Sequence, residues 1–265
     1  MQSANSIIMR ASKANSSEGK SCPMCQKTSL RVSLNGEISS IFRCTTCGFR
    51  FQHPQPDDEQ LRQIYSANYF LGATDPHLAE HVCQLKTATA NFYLDIVKTT
   101  TAGPKRLLEI GCGDGYLLSA AESRGYEVTG IDYSEHAARR AQEKLKNGRV
   151  FVGDISTANL PQGHFDFCIL ADVLEHVRDP DAFLRATACC LKPGGRILIA
   201  TPSTDSWSAL IMGARWMEYK TEHMSYFNRT TLTTLLAKSG FSSVDFLSGT
   251  KVVSDRKSTR LNSSH

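Results

Sequence analysis

The sequence predicts an α/β protein in which a doubly wound, mostly parallel sheet follows a small cysteine-built module. Three observations carry that prediction. Short apolar runs (LLEI, YEVTGI, VFV, FDFCILA and RILIA) alternate with stretches of helical periodicity from Leu107 onward, the pattern of strand–helix units. The first run enters a glycine-rich turn at Gly111. Four of the nine cysteines form two C-x-x-C pairs near the amino end. With 265 residues, 41% apolar and 21% charged, the chain is long enough for one large core plus a small module.

Residues 1–20 are serine-rich and carry Arg10, Lys13 and Lys20 against Glu18, the composition of a disordered leader. Cys22-Pro-Met-Cys25 and Cys44-Thr-Thr-Cys47-Gly48 then stand 18 residues apart, within the spacing of a four-thiolate zinc site. Each turn places two thiolates on one side of a tight loop, and two loops close a tetrahedron. Four cysteines leave no open coordination position, so the metal expected at Cys22, Cys25, Cys44 and Cys47 is structural Zn²⁺ rather than catalytic. Leu30–Leu34 and 38–42, joined around Asn35-Gly36, have the alternation and turn of a hairpin. The ribbon is expected to occupy residues 21–53. A module this small has too little apolar surface for a core, and the metal would supply much of its folding energy.

Residues 54–102 read as a joint. Pro54 and Pro56 end the ribbon, Leu61, Ile64, Tyr65, Tyr69 and Phe70 space like a short helix, and Asp75-Pro76 opens a long helix through Lys98. The glycine turn follows, at Gly111, Gly113 and Gly115. The dinucleotide fingerprint needs its third glycine at position 116, which is Tyr116, and no Gly-Lys-Ser/Thr ending marks a triphosphate loop. Asp132 ends the second strand, 21 residues after Gly111, where a carboxylate accepts from both hydroxyls of a ribose. Asp154 follows the third strand, Glu175 and His176 the fourth, and KPGG turns into the fifth.

This ordered set resembles the class I S-adenosylmethionine-dependent methyltransferase family, of the methyltransferase domain 23/11 kind, over about residues 103–248. The resemblance implies a Rossmann-like sheet of the seven-stranded type, here a domain at 103–254. It implies that Glu109 and the loop of Gly111, Cys112, Gly113 and Gly115 hold the methionine portion, and Asp132 the ribose, with Tyr133 beside it. Asp154 and Ile155 would then flank the adenine, and Ala171 would wall the sulfonium. By likeness to methyltransferases with an amino-terminal zinc ribbon, the long helix would lie across the cofactor pocket. The cysteines outside the ribbon read as packing residues, Cys112 included.

Methyl transfer from a sulfonium is an in-line displacement, and a hydroxyl or amine acceptor needs a base for its proton. His176, Glu175 and His223 are the candidates, the first two at the strand edge where open parallel sheets bind ligands. Asp172, Glu175 and His176 are similar to the Glu-x-x-Glu-His stretch of ubiquinone-pathway O-methyltransferases, with Asp172 in place of the first glutamate. Residues 203–220 carry Trp207, Trp216 and Tyr219, which either cover the acceptor or pack the segment against the core. The expected activity is methylation of a small molecule such as a quinone precursor or sugar.

Two alternatives stand beside it, an RNA methyltransferase and a non-catalytic scaffold. The net charge of +4 is slight, the ribbon segment holds only Lys27, Arg31, Arg43 and Arg50 and so has no basic stripe for nucleic acid, and residues 171–174 lack the Asn/Asp-Pro-Pro-Tyr motif of amino-methyltransferases. Intact glycines and Asp132 speak against a vestigial site. No apolar run reaches the roughly 18 residues of a membrane span, so a soluble, cytoplasmic protein is expected. Residues 255–265, DRKSTRLNSSH, break every preceding pattern and resemble translated adaptor sequence. Ser242–Leu247 reads as a sixth strand, and no candidate remains for an antiparallel seventh, which predicts an unpaired sheet edge and reduced stability.

Overall fold

A computed structural model of the chain describes residues 19–36, 39–64, 76–97 and 105–247. The expected leader, the tail at 255–265 and the helix-end residues Asp75 and Lys98 lie outside them, apart from Gly19 and Lys20. The ribbon comprises β1 (Leu30–Leu34), β2 (Ser40–Cys44) and β3 (Arg50–His53), then α1 (Asp58–Ile64) and α2 (Pro76–Val97). The large unit runs β4 (Lys105–Ile110), α3 (Tyr116–Ser123), β5 (Tyr126–Asp132), α4 (Glu135–Lys144), β6 (Arg149–Val152), β7 (Phe165–Ala171), α5 (Pro180–Cys190), β8 (Leu191–Ala200), α6 (Trp207–Met212), β9 (Ser225–Tyr226) and α7 (Arg229–Lys238). One-turn helices sit at Leu174–His176 and Gly213–Arg215.

Five parallel strands stand in the order β6-β5-β4-β7-β8. The chain leaves β4 in one direction for β5 and β6, then returns to the other side of β4 for β7 and β8. Their carboxyl ends therefore open a crevice beside β4, where ligands of this architecture bind. The strands are apolar because both faces are covered, with Leu107, Leu108, Cys168, Ile169 and Leu170 fully buried. Caps fix the helix starts: Ser134 accepts from Ala137, Asp179 from Asp181 and Ala182, and Asn228 exchanges bonds with Thr231. Helix α2 buries Ala90, Tyr93, Leu94 and Val97 against Leu107, Leu117 and Leu118.

Two expectations are corrected. The hairpin's second arm is Ser40–Cys44 rather than 38–42, because pairing is set by Leu30 opposite Cys44, which brings the two cysteine turns together. Ser242–Leu247 forms no strand. Among the described residues no strand lies beside it, and an isolated strand has no partner for its N–H and C=O groups.

The ribbon is not a separate bead on the chain. Strand β3, unforeseen from the sequence, pairs with β9 to make a four-stranded sheet β1-β2-β3-β9. Phe42, Phe49 and Phe51 join the same buried cluster as Leu108, Ile110, Phe227 and Leu232, and the rings of Phe49 and Phe227 are 5.5 Å apart.

Candidate functional site: a glycine loop, a histidine pair and a thiol cluster

The site begins where β4 ends. Gly111, Gly113 and Gly115 all have left-handed backbone, φ +73°, +51° and +74°. A β-carbon at Gly111 would drive into the side chain of Val173, and one at Gly115 would lie 2.7 Å from Ala141 Cβ. The bareness of these two positions is thus already demanded by neighbouring protein atoms. Backbone N–H groups of Gly111 and Cys112 donate to Ile131 O at 2.8 and 3.0 Å, pinning the loop to the end of β5.

Asp132 stands at that same end, its carboxylate accepting from Gly113 N (2.7 Å) and Ser134 N (2.8 Å). Burial raises its pKa despite those two donors, and the nearby Asp114 adds to the rise. Glu109 is deeper. Its pKa is pushed well up by burial first and by the Asp132 charge second, against one bond from the Leu118 N–H. That bond caps α3, whose N-cap, Gly115, has no side chain to do so. The other oxygen, Oε2, is buried with no hydrogen-bond partner among the described residues.

Around the crevice, Tyr133 is exposed, Asp154 is exposed with Oδ1 bonded to Ser156, and Ile155 is buried. Ala171 closes β7, and Asp172 beyond it takes φ +56° and donates its N–H to Ala200 O. Cys112 is buried against Leu118 and Gly130, and burial with the charges of Glu109 and Asp132 raises its pKa, so it packs rather than attacks. Lys86 of α2 reaches Asp114 of the glycine loop at 3.4 Å, and Arg140 meets the same carboxylate at 2.6 Å. The long helix therefore borders the loop.

The second group stands past β7. Ligand atoms of Glu175, His176 and His223 lie within 4.8 Å of one another, and the two imidazoles meet edge to face at 4.6 Å. The sequence marks each residue singly, but nothing in it signals that His176 and His223 touch. His176 Nδ1 lies 3.0 Å from Glu222 O; a carbonyl only accepts, so Nδ1 carries the proton and Nε2 keeps its lone pair. Burial lowers the His176 pKa, outweighing the raising effects of Glu222 and Asp172. Glu175 is buried, with Oε2 accepting from Thr201 Oγ1 at 2.8 Å and its backbone O from Met224 N at 2.8 Å. Of the aromatic residues before His223, Trp216 packs with Ile41 and Tyr226 and Tyr219 against it, while Trp207 is exposed. Two surface grooves, one along Lys192–Gly195 and one along 125–129, lie at the amino ends of the strands, away from all of this.

The four ribbon thiols gather within 4.8 Å, with Cys22 to Cys47 and Cys25 to Cys44 both at 3.6 Å. A zinc–thiolate bond of about 2.3 Å implies tetrahedron edges near 3.8 Å, so the set fits such an ion and is far too open for disulfides. Burial drives the Cys22 thiol up to about 11. At Cys44 burial also opposes ionisation, but N–H groups of Cys47 and Thr46 outweigh it and bring the thiol down to about 7.

The methyltransferase-domain profile matches residues 80–245, which is more than half of the sequence. The chain belongs to the methyltransferase-domain family. This methyltransferase is 36% identical over 117 residues to a ubiquinone biosynthesis O-methyltransferase of Idiomarina loihiensis, covering 42% of this chain and 48% of that protein. A protein of the same description from Bordetella avium is 34% identical over 122 residues, 43% and 50% of the two chains. The chain thus spans about half the length of the curated relatives it matches. Among solved structures, an S-adenosylmethionine-dependent methyltransferase from Archaeoglobus fulgidus superposes with a TM-score of 0.51 at 24% identity, covering 60% of this chain and 69% of that one. The putative methyltransferase complexed with the Haloferax volcanii Trm112 activator gives 0.52 at 19%, covering 61% and 71%. Both show the shared fold. Among the described residues, no helix is long and apolar enough to cross a membrane.

Proposed function

We propose that this methyltransferase moves a methyl group from S-adenosylmethionine to a hydroxyl of a small molecule, with His176 as the base. The observation that carries the reading is the pairing, at one sheet edge, of the glycine loop and Asp132 with a half-buried histidine whose Nδ1 is bonded to the Glu222 carbonyl, which leaves the lone pair on Nε2. The residues suit the cofactor: the lone buried Oε2 of Glu109, which costs about 1–3 kcal/mol while unsatisfied, awaits a donor of the kind its methionine portion offers. The two oxygens of Asp132 would turn from Gly113 and Ser134 toward the ribose. Asp154 and Ile155 would border the adenine, Tyr133 the ribose, and Ala171 the sulfonium. When bound, S-adenosylmethionine supplies an electrophilic methyl group on sulfur.

The rest is done by the chain. Nε2 of His176 would take the proton from the acceptor hydroxyl, and the Glu222 carbonyl and Asp172 would steady the imidazolium that results. The depressed pKa keeps the base neutral at pH 7. His223 holds the ring from its edge, and Glu175 holds the turn through Thr201 and Met224. Zn²⁺ at Cys22, Cys25, Cys44 and Cys47 would be a structural ion that makes the ribbon rigid. The reading divides the chain into a ribbon at 21–53, a joint at 54–102 and a transferase domain at 103–254. The names of the relatives support hydroxylated quinone precursors as the first acceptors to try.

Calorimetric titration of the zinc-loaded protein with S-adenosylhomocysteine tests the cofactor half. Micromolar binding that disappears in Asp132→Ala supports the reading, and no binding by a folded sample overturns it. Methylation of a catechol that His176→Gln abolishes without changing that affinity supports the acceptor half.

A further inference from the structure

The turn carrying His223 is held from both sides. On the catalytic side, Met224 N donates to Glu175 O and Glu222 O accepts from His176 Nδ1. On the other side stands the ribbon, whose β3 pairs Arg50 with Tyr226 and Phe51 with Ser225. Next in that strand, Gln52 donates its backbone N–H to Met224 O at 3.0 Å and its side-chain Nε2 to Thr221 O at 3.2 Å. Gln52 is 3% exposed. Burying an amide is costly unless it is used, and in the β2–β3 ladder Gln52 faces only the apolar Ile41, which needs no amide. Its side chain serves the turn rather than the ribbon.

We propose that Gln52 is a positioning residue for the acceptor half of the site: it clamps 221–224 so that the Glu222 carbonyl meets His176 Nδ1 and fixes the tautomer that leaves Nε2 basic. The proposal rests on His176 being the base, and it makes the ribbon the outer wall of the catalytic frame. Which imidazole nitrogen carries the proton is set by what the other one bonds, so a carbonyl moved by a fraction of an ångström releases that choice. Residues 221–224 lie between two clamps, and cutting either one frees the other's partner.

The experiment uses the full-length, zinc-loaded protein with ¹⁵N-labelled histidine and compares it with Gln52→Met, which keeps the volume and removes the donor. Long-range ¹⁵N–¹H spectra of the wild type should show His176 as the Nδ1–H tautomer, and the variant should show a mixture of both forms. Amide exchange at 224–226 should quicken on the order of tenfold, the equivalent of one lost hydrogen bond. Exchange at 107–110 and 128–131, and the affinity for S-adenosylhomocysteine, should stay as they were. An unchanged tautomer with unchanged exchange overturns the proposal, and so does exchange that quickens everywhere, which would make Gln52 a general stabiliser. A wild type that binds no S-adenosylhomocysteine counts against the proposed function alone, because the tautomer comparison is read without cofactor.

Discussion

Replacing Gly115 by alanine tests the claim that the glycine loop is bare because protein atoms crowd it. The cost has two parts. At φ +74° and ψ +24° an L-residue pays about 1–2 kcal/mol for left-handed backbone. The new methyl also meets Ala141 Cβ at 2.7 Å and its Cα at 2.8 Å, an overpacking cost of about 1–3 kcal/mol because a helix backbone yields little. The sum is about 2–5 kcal/mol. Gly163→Ala separates the parts, since Gly163 has φ +57° but nothing within 4 Å of the added carbon, and should lose only about 1–2 kcal/mol. Urea unfolding of the three proteins, zinc-loaded and without cofactor, measures both losses. If the two variants lose the same stability to within about 0.5 kcal/mol, the crowding argument fails.

Other outcomes follow from the same geometry. Trp216, 5% exposed, should lose about 3–5 kcal/mol on change to alanine, whereas Trp207, 81% exposed, should change by about 0.5 kcal/mol or less; thermal melts of both variants decide. Because burial lowers the folded-state pKa of His176, the unfolded chain takes up the proton first as pH falls. Stability present above about pH 6.5 should therefore decline below it until the lower folded pKa is passed. In His176→Gln that share of the decline should vanish, and parallel curves for the two proteins would rule it out. Cys25→Ser should drop bound zinc well below one ion per chain by elemental analysis and quicken amide exchange across β1 and β2, with full occupancy as the contrary result.

What the sequence disclosed and what it hid divide along physical lines. The glycine loop, Asp132 and the cysteine pairs were readable because each signal is local: a backbone angle, a strand end, a ligand spacing. The strand Arg50–His53 was not, because four residues followed by two prolines carry no periodicity, and although one neighbour is the nearby β2, the other is a two-residue strand far along the chain. The contact of His176 with His223 was hidden for the same reason. Each histidine lies at an ordinary helix edge or loop, and only the fold of residues 200–224 folds one onto the other. Trp216 illustrates a different limit. Aromatic content alone could not separate a lid over an acceptor from packing, and the side chain turns to Ile41 of the ribbon. Strand Ser242–Leu247 failed because alternation reports a suitable surface, not the presence of a neighbour to pair with.

The pairing of β3 with β9 also sets an order of assembly. All four cysteines leave the ribosome before residue 50, so a metal ion held by the thiol cluster would be captured while most of the chain is still unmade. Until Ser225 and Tyr226 emerge, one edge of the ribbon sheet faces water with its N–H and C=O groups open, the kind of edge that recruits foreign strands. Closing it draws together residues more than half the chain apart, a slow step governed by loop entropy. The early-folding ribbon therefore waits as a template, and chaperone dependence during synthesis should be greatest in that interval.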